Sequence, residues 1–376
     1  MSMPTRRVFL RTASAAAIAV SAPRNFAAAS PQRVYVASSA PNGILAYDWN
    51  MDSGELTAAG VAAPFPKAAW ITYSPDRQFI FSASELQSQN GEPFTEVASF
   101  QVAPAGLHPL SARHSGSAGT CQVGVDHTGS VLVAADYEGG SATSFLIHEG
   151  RLSPAVWSEH FTVHGPNPER QQSPHPHFVS FSPDNRFVYV NDLGGDRIHI
   201  YRLNATTADL AQAGNFEASP GAGPRTLHFH PNGHTAYCIN ELASTVYVLE
   251  WSRQDGSLTQ VDSIDLLPQG YQGLTSACDT LISRDGRHVY FANRGDSSLY
   301  AFHADSVTGA LTRAGRYDCG GKTPRHFVLD PTERWMLVAN EDSDWITVFA
   351  RDRRTGTLAG EGRNYPALTP MCILFR

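Results

Sequence analysis

The side chains best suited to chemistry in this chain are arginine, glutamate and histidine residues set at the ends of short apolar runs. Arg225 follows Gly221-Ala222-Gly223-Pro224, Glu241 follows Asn240, and Arg294 follows Asn293. Lys322, Arg325 and His326 share one later segment, and Asp279 adjoins Cys278. A guanidinium can hold an anionic substituent and stabilise a developing oxyanion, while a carboxylate or imidazole can take a proton from water. The same charged groups could equally form salt bridges that tie neighbouring parts of the fold. His175 and His177 stand two apart, as do His228 and His230, so each pair shares one face of an extended strand. That spacing suits metal ligation, but no acidic or cysteine partner follows at ligand spacing, and no metal or other cofactor is expected. The motifs G-x-S-x-G, H-E-x-x-H and the phosphate-cradling P-loop are absent.

The elements that position these residues repeat along the chain. One unit is an apolar pair, a polar stretch and a Gly-x-Leu turn, as in Tyr47-Asp48-Trp49 to Gly54-Glu55-Leu56 and Phe302-His303 to Gly309-Ala310-Leu311. Seven leucines (56, 107, 152, 210, 258, 311 and 358) mark its copies, spaced by 51, 45, 58, 48, 53 and 47 residues. A second unit interleaves: a short strand, a Pro/Asp/Asn/Gly turn, and an apolar strand ending in a small polar residue. Phe178 to Asp192 is its clearest copy, with others at Leu227–Asn240, Leu281–Asn293 and Phe327–Asn340. Both units read as β-hairpins, giving four strands in each repeat of about 50 residues.

Seven four-stranded units repeated radially predict an all-β fold, a seven-bladed β-propeller spanning residues 30–376 as one domain. Arg33–Ser38 lacks a preceding partner strand and Met371–Phe375 lacks a following one, so the two ends are expected to pair and close the ring. Ring closure then gathers the first-strand starts and second-strand ends around one channel mouth. His177, Arg225, Asp279, Arg325 and His326 fall among the starts, and Glu241 and Arg294 among the ends. Ser84, Asp136, Asp192 and Asn340, also at strand ends, are expected to bond their own turn backbone.

Of the 376 residues, 42% are hydrophobic and only 17% charged, with 31 Gly and 24 Pro, which suits strands joined by tight turns. The net charge is −7, and the four arginines of the first thirty residues leave the remainder at −11. An acidic body without a basic run excludes nucleic acid as a partner. Thr5-Arg6-Arg7-Val8-Phe9-Leu10, the Ala-rich run to Val20 and an A-x-A site after Ala29 resemble a twin-arginine export signal over residues 1–29. That implies passage through the twin-arginine export machinery to the periplasm or beyond. The apolar run is shorter than the roughly 20 residues a membrane span needs, so no stable membrane insertion is expected after processing. Five cysteines without a C-x-x-C pair argue against a disulfide framework.

Several of these segments together resemble a known family. They are Pro174-His175-Pro176-His177-Phe178, Gly221-Ala222-Gly223-Pro224-Arg225, Asn240-Glu241-Leu242, Asn293-Arg294-Gly295 and Gly321-Lys322-Thr323-Pro324-Arg325-His326, with Pro370-Met371-Cys372 at the end. The chain from about residue 32 onward is similar to the seven-bladed lactonases that include propeller-type 6-phosphogluconolactonases and, more distantly, carboxy-muconate cycloisomerases. The resemblance implies catalytic duty for His177, Arg225, Glu241 and Arg294. It implies substrate contacts for His175, Asp279, Lys322, Arg325 and His326, although Asp279 stands where many members have Glu. The expected activity is metal-independent hydrolysis of a sugar-derived or carboxylated lactone in carbohydrate metabolism. Two other readings remain open, muconate-type cycloisomerisation and a non-catalytic exported propeller that binds a ligand or protein.

Overall fold

The computed structural model describes residues 32–87, 93–104 and 106–376, together with Met1. The chain divides into residues 1–31 and one compact unit, Gln32–Arg376. The expected export signal lies outside the described residues. Among those described, no helix is long and apolar enough to cross a membrane.

Gln32–Arg376 forms seven four-stranded antiparallel sheets. Blade 1 takes its inner strand from Pro370–Phe375 and its other three from Gln32–Ser38, Ile44–Asn50 and Glu55–Ala63. Blades 2 to 7 run consecutively, with inner strands Ala68–Tyr73, Thr120–Val125, Pro176–Phe181, Pro224–Phe229, Ala277–Ile282 and Pro324–Leu329. Each inner strand packs against that of the next blade, and blade 7 meets blade 1. Val34 pairs with Phe375 and Ser38 with Pro370, so the two ends of the unit share a blade as the sequence predicts.

Stacking buries both faces of the second strand in each blade. Phe187–Asp192, Thr235–Asn240 and His288–Asn293 are buried throughout, which is why they read as near-continuous apolar runs. The seven repeat leucines open the outermost strands or stand second in them, and all but Leu311 are buried. The Gly-x-Leu turns have an inter-blade duty. The hydroxyls of Tyr189, Tyr237 and Tyr290 donate to the carbonyls of Gly256, Gly309 and Gly356 on the following blade, at 2.8, 2.7 and 2.6 Å. Gly256 has φ +81°, and a Cβ there would lie 2.5 Å from the Phe187 ring, so both backbone and space demand glycine.

Candidate active site

One irregularity recurs in all seven blades and builds the site. Where the inner strand begins, pairing skips a residue: Pro176 faces Asp192 and Phe178 faces Asn191, leaving His177 unpaired between them. The same shift leaves out Ala69, Cys121, Arg225, Cys278, Arg325 and Met371. A bulge re-aims the extra side chain, and here it directs these residues at the channel mouth. Six of the seven, all but Cys278, line the cavity there or its narrow lower end. The upper cavity measures about 280 Å³.

The second strands contribute the residue just past their last pair. Glu241 N donates to Gly223 O at 2.7 Å and Arg294 N to Ser276 O at 2.9 Å, fixing both backbones beside the bulges. Tyr137 and Glu341 hold the same position in blades 3 and 7. Of the polar residues one step earlier, Asp192 bonds its own turn as expected, whereas Asp136 is met by hydroxyl side chains instead. Asp192 accepts from His175 N and Gly195 N, and Asp136 accepts from the hydroxyls of Thr120 and Ser141.

Glu241 is the centre of the constellation. It is 1% exposed and meets three guanidiniums: Arg170 Nη2 at 2.6 Å from Oε1, and Arg225 Nε and Arg294 Nη2 at 2.9 and 2.8 Å from Oε2. Burial alone would raise its pKa. Arg294 and Arg225, with His177 and Arg170, outweigh it and hold the carboxyl well below the usual carboxylate range. Arg225 also donates through Nη1 to the carbonyl of Cys278. Burial, then the Arg225 guanidinium, pushes His177 well below the usual imidazole range, so it is neutral at neutral pH. Its Nδ1 is buried without a hydrogen-bond partner, and Tyr137 packs edge-on against the ring at 5.6 Å.

The structure therefore brings His177, Arg225, Glu241 and Arg294 together, with Arg325 on the same wall and paired to Glu341 at 3.3 Å. The other expected contacts lie elsewhere. His175 is buried, stacks on Tyr137 and pairs through Nδ1 with the Tyr137 carbonyl at 2.8 Å. Lys322 is exposed, its backbone N donating to Ser343 Oγ. Asp279 and His326 each stand one residue beyond the bulge, level with Thr226 and Trp70 rather than with Arg225. They face one another there at 4.0 Å, and Asp279 lies 3.8 Å from His228. Cys121, a strand start like His177, also lines the cavity, as do Arg170 and Tyr137, which sequence reasoning missed. Arg170 lies on an interblade segment with no counterpart in the repeats, and Tyr137 is offset by one from the strand-end polar residue. Among the described residues, no group of three His, Cys, Asp or Glu is arranged to hold a metal ion.

The model of the seven-bladed β-propeller lactonase family matches residues 33–375. The chain belongs to that lactonase family. It is similar to 6-phosphogluconolactonase of Bacillus subtilis, with 29% identity over 336 residues covering 89% of this chain and 94% of the relative. A 6-phosphogluconolactonase of Formosa agariphila is 30% identical over 324 residues, covering 84% and 90%. The solved structure of the periplasmic gluconolactonase of Pseudomonas aeruginosa superposes with TM-score 0.86 at 29% identity, covering 92% of this chain and 99% of that one.

Proposed function

We propose that this lactonase-family protein hydrolyses a lactone bearing an anionic substituent, with His177, Arg225, Glu241 and Arg294 as the working residues. The observation that carries the reading is one ionised carboxylate held by three guanidiniums beside a neutral imidazole, at a cavity of about 280 Å³. That volume suits a monosaccharide-sized ligand, just below the roughly 300–1,000 Å³ common for drug-sized ones.

In the proposed reaction His177 takes a proton from water as the water oxygen attacks the lactone carbonyl. Negative charge develops on the carbonyl oxygen, where Arg225 and Arg294 stabilise it. The ring C–O bond then breaks, and the proton passes from His177 to the departing oxygen, giving a hydroxy acid. Glu241 is a poor base in this setting because guanidiniums occupy both of its oxygens, whereas His177 Nδ1 has no hydrogen-bond partner. Its role is to hold Arg225 and Arg294, which would otherwise repel one another. No step requires a metal.

The reading extends to location. The twin-arginine signature over residues 1–29 supports export, and the Pseudomonas relative is described as periplasmic. An exported enzyme would meet a lactone outside the cytoplasm, which favours a carboxylated sugar-derived lactone over a phosphorylated metabolic intermediate. A fusion of residues 1–35 to a reporter tests export, and cytoplasmic retention of the intact fusion would defeat it. A panel of phosphorylated, carboxylated and uncharged lactones, assayed by acid release with and without EDTA, tests the activity. Turnover unaffected by EDTA is expected. No turnover would leave a binding propeller, and ring closure of an unsaturated dicarboxylate would point to cycloisomerisation.

A further inference from the structure

The carboxylate of Glu241 has two oxygens and three cationic partners, and the three are not equivalent. Arg225 and Arg294 share Oε2, grow from blade strands or their ends, and have side chains 5% and 17% exposed. Arg170 alone holds Oε1 and is 41% exposed. It comes from the fifteen residues that join the outer strand of blade 3, ending at His160, to the inner strand of blade 4, starting at Pro176.

That segment is firmly seated although it is irregular. Gln171 is fully buried, and its side chain donates to Leu193 O at 2.9 Å and accepts from Asn167 N at 3.1 Å. Asn167 Oδ1 accepts from the backbone N–H of Arg170 at 3.1 Å, and Gly165 N donates to Gly194 O at 2.7 Å. The backbone at Arg170 is thus fixed, and only its side chain reaches into the cavity. Its Nη2 makes both hydrogen bonds, to Glu241 Oε1 and to Tyr137 Oη at 3.2 Å. Four guanidiniums line the cavity and its lower end (Arg170, Arg225, Arg294, Arg325) against the carboxylates of Glu138 and Glu241, with Glu341 paired to Arg325. One positive charge is left over.

We propose that Arg170 is the specificity-determining residue of the site: it leaves Glu241 Oε1 to bind the substrate's anionic substituent at the rim. The inference rests on the lactonase reading and names what that reading leaves open, the group that selects a charged lactone. Of the three guanidiniums, Arg170 is the one whose release costs least. Arg225 and Arg294 still neutralise Glu241 when it departs, and its own side chain is already partly in water. Arg225 lines the lower cavity beside His177, so an anion held by Arg170 at the rim leaves the lactone ring directed down toward them. A fixed backbone carrying one partly exposed charged fork gives selection without loop closure.

The test compares an uncharged and a carboxylated or phosphorylated lactone on the full chain and on Arg170→Gln and Arg170→Lys. Loss of one charged hydrogen-bonding group predicts a fall of about 10- to 100-fold in kcat/KM for the anionic lactone in Arg170→Gln, mainly through KM. The uncharged lactone should lose only a few-fold, and Arg170→Lys should recover part of the discrimination. Equal losses on both lactones, or no loss on either, would overturn the proposal. Calorimetric titration with inorganic phosphate separates this from the activity itself. If the wild type opens no lactone but binds phosphate through Arg170, the lactonase reading falls and the anion-binding role stands. Phosphate binding that survives Arg170→Gln undiminished overturns the role whatever the activity.

Discussion

Glu241 and Asp279 are carboxylates of almost equal burial, 1% and 3% exposed, on adjacent blades of one channel. Glu241 stands at the mouth among three guanidiniums and is held ionised far below its usual range. Asp279 stands deeper, with His228 at 3.8 Å and His326 at 4.0 Å as its nearest titratable partners. Burial pushes those imidazoles down to about 4 and about 3, so both are neutral at physiological pH. Burial likewise pushes Asp279 up to about 7, only partly opposed by Arg225. The contrast shows that burial sets no fixed fate for a carboxylate: the count of adjacent cations decides whether it serves as an anion or a neutral acid. One residue of strand register separates the two environments, because the bulge delivers Arg225 to the mouth and passes over Asp279.

Removing the charge at the mouth should have the largest effect. Glu241→Gln leaves three guanidiniums facing one another without their anion, and breaking a buried pair of this kind costs about 3–5 kcal/mol. Denaturant unfolding should show that loss at neutral pH, with little activity remaining. Equal stability of the variant and wild type would mean that the arginines do not depend on Glu241.

The deeper carboxylate should respond in the opposite sense. Its folded pKa lies above the unfolded value, so the native state binds the extra proton between about pH 4 and pH 7. Asp279 therefore favours folding at low pH and costs stability as pH rises toward 7. Asp279→Asn should be more stable than wild type at pH 8, by about 1–4 kcal/mol, with the gain vanishing near pH 4. Glu241 runs the other way: its depressed pKa stabilises the fold above its unfolded value, and that stability is lost as pH falls. A pH-independent difference for Asp279→Asn would remove the contrast.

A smaller effect is expected in the rate profile. With His177 as base and its pKa depressed, kcat/KM should be flat through neutral pH and decline only on the acid side, below the usual imidazole value of about 6.5. A midpoint above 7 would exclude His177. Smallest is the blade lock outside the channel. Tyr189→Phe removes the hydroxyl that donates to Gly256 O and accepts from Trp251 Nε1, and should cost about 1 kcal/mol in unfolding with turnover intact.

The ring was legible because each blade carries its own turn chemistry. In six of the seven repeats a Gly just before the repeat leucine takes positive φ and sits against the preceding blade, so it survives as a spaced signal, while Ala208 takes that conformation before Leu210. Arg225, Glu241 and Arg294 were legible as strand-end residues that closure would gather. The repeated bulge was not, because a skipped residue leaves no mark on an alternating pattern. Sequence alone therefore set Cys278 and Asp279 together level with Arg225, where the structure has Cys278 only. Arg170 was hidden for a different reason. It is positioned by Gln171 and Asn167 through side-chain bonds to a neighbouring turn, and no periodicity records such bonds.

The claim that the mouth cluster exists for chemistry is tested most directly by measuring kcat/KM and melting temperature together on Arg225→Ala and Arg294→Ala. The two residues lie 69 positions apart, yet both contact Glu241 Oε2. If they stabilise the transition state, each variant should lose about 2–5 kcal/mol of it, roughly 30- to several-thousand-fold in kcat/KM, while the melting temperature falls less than in Glu241→Gln, because two guanidiniums still neutralise the carboxylate. Near-normal turnover in a clearly destabilised protein would contradict the account and leave the arginines as ties between blades.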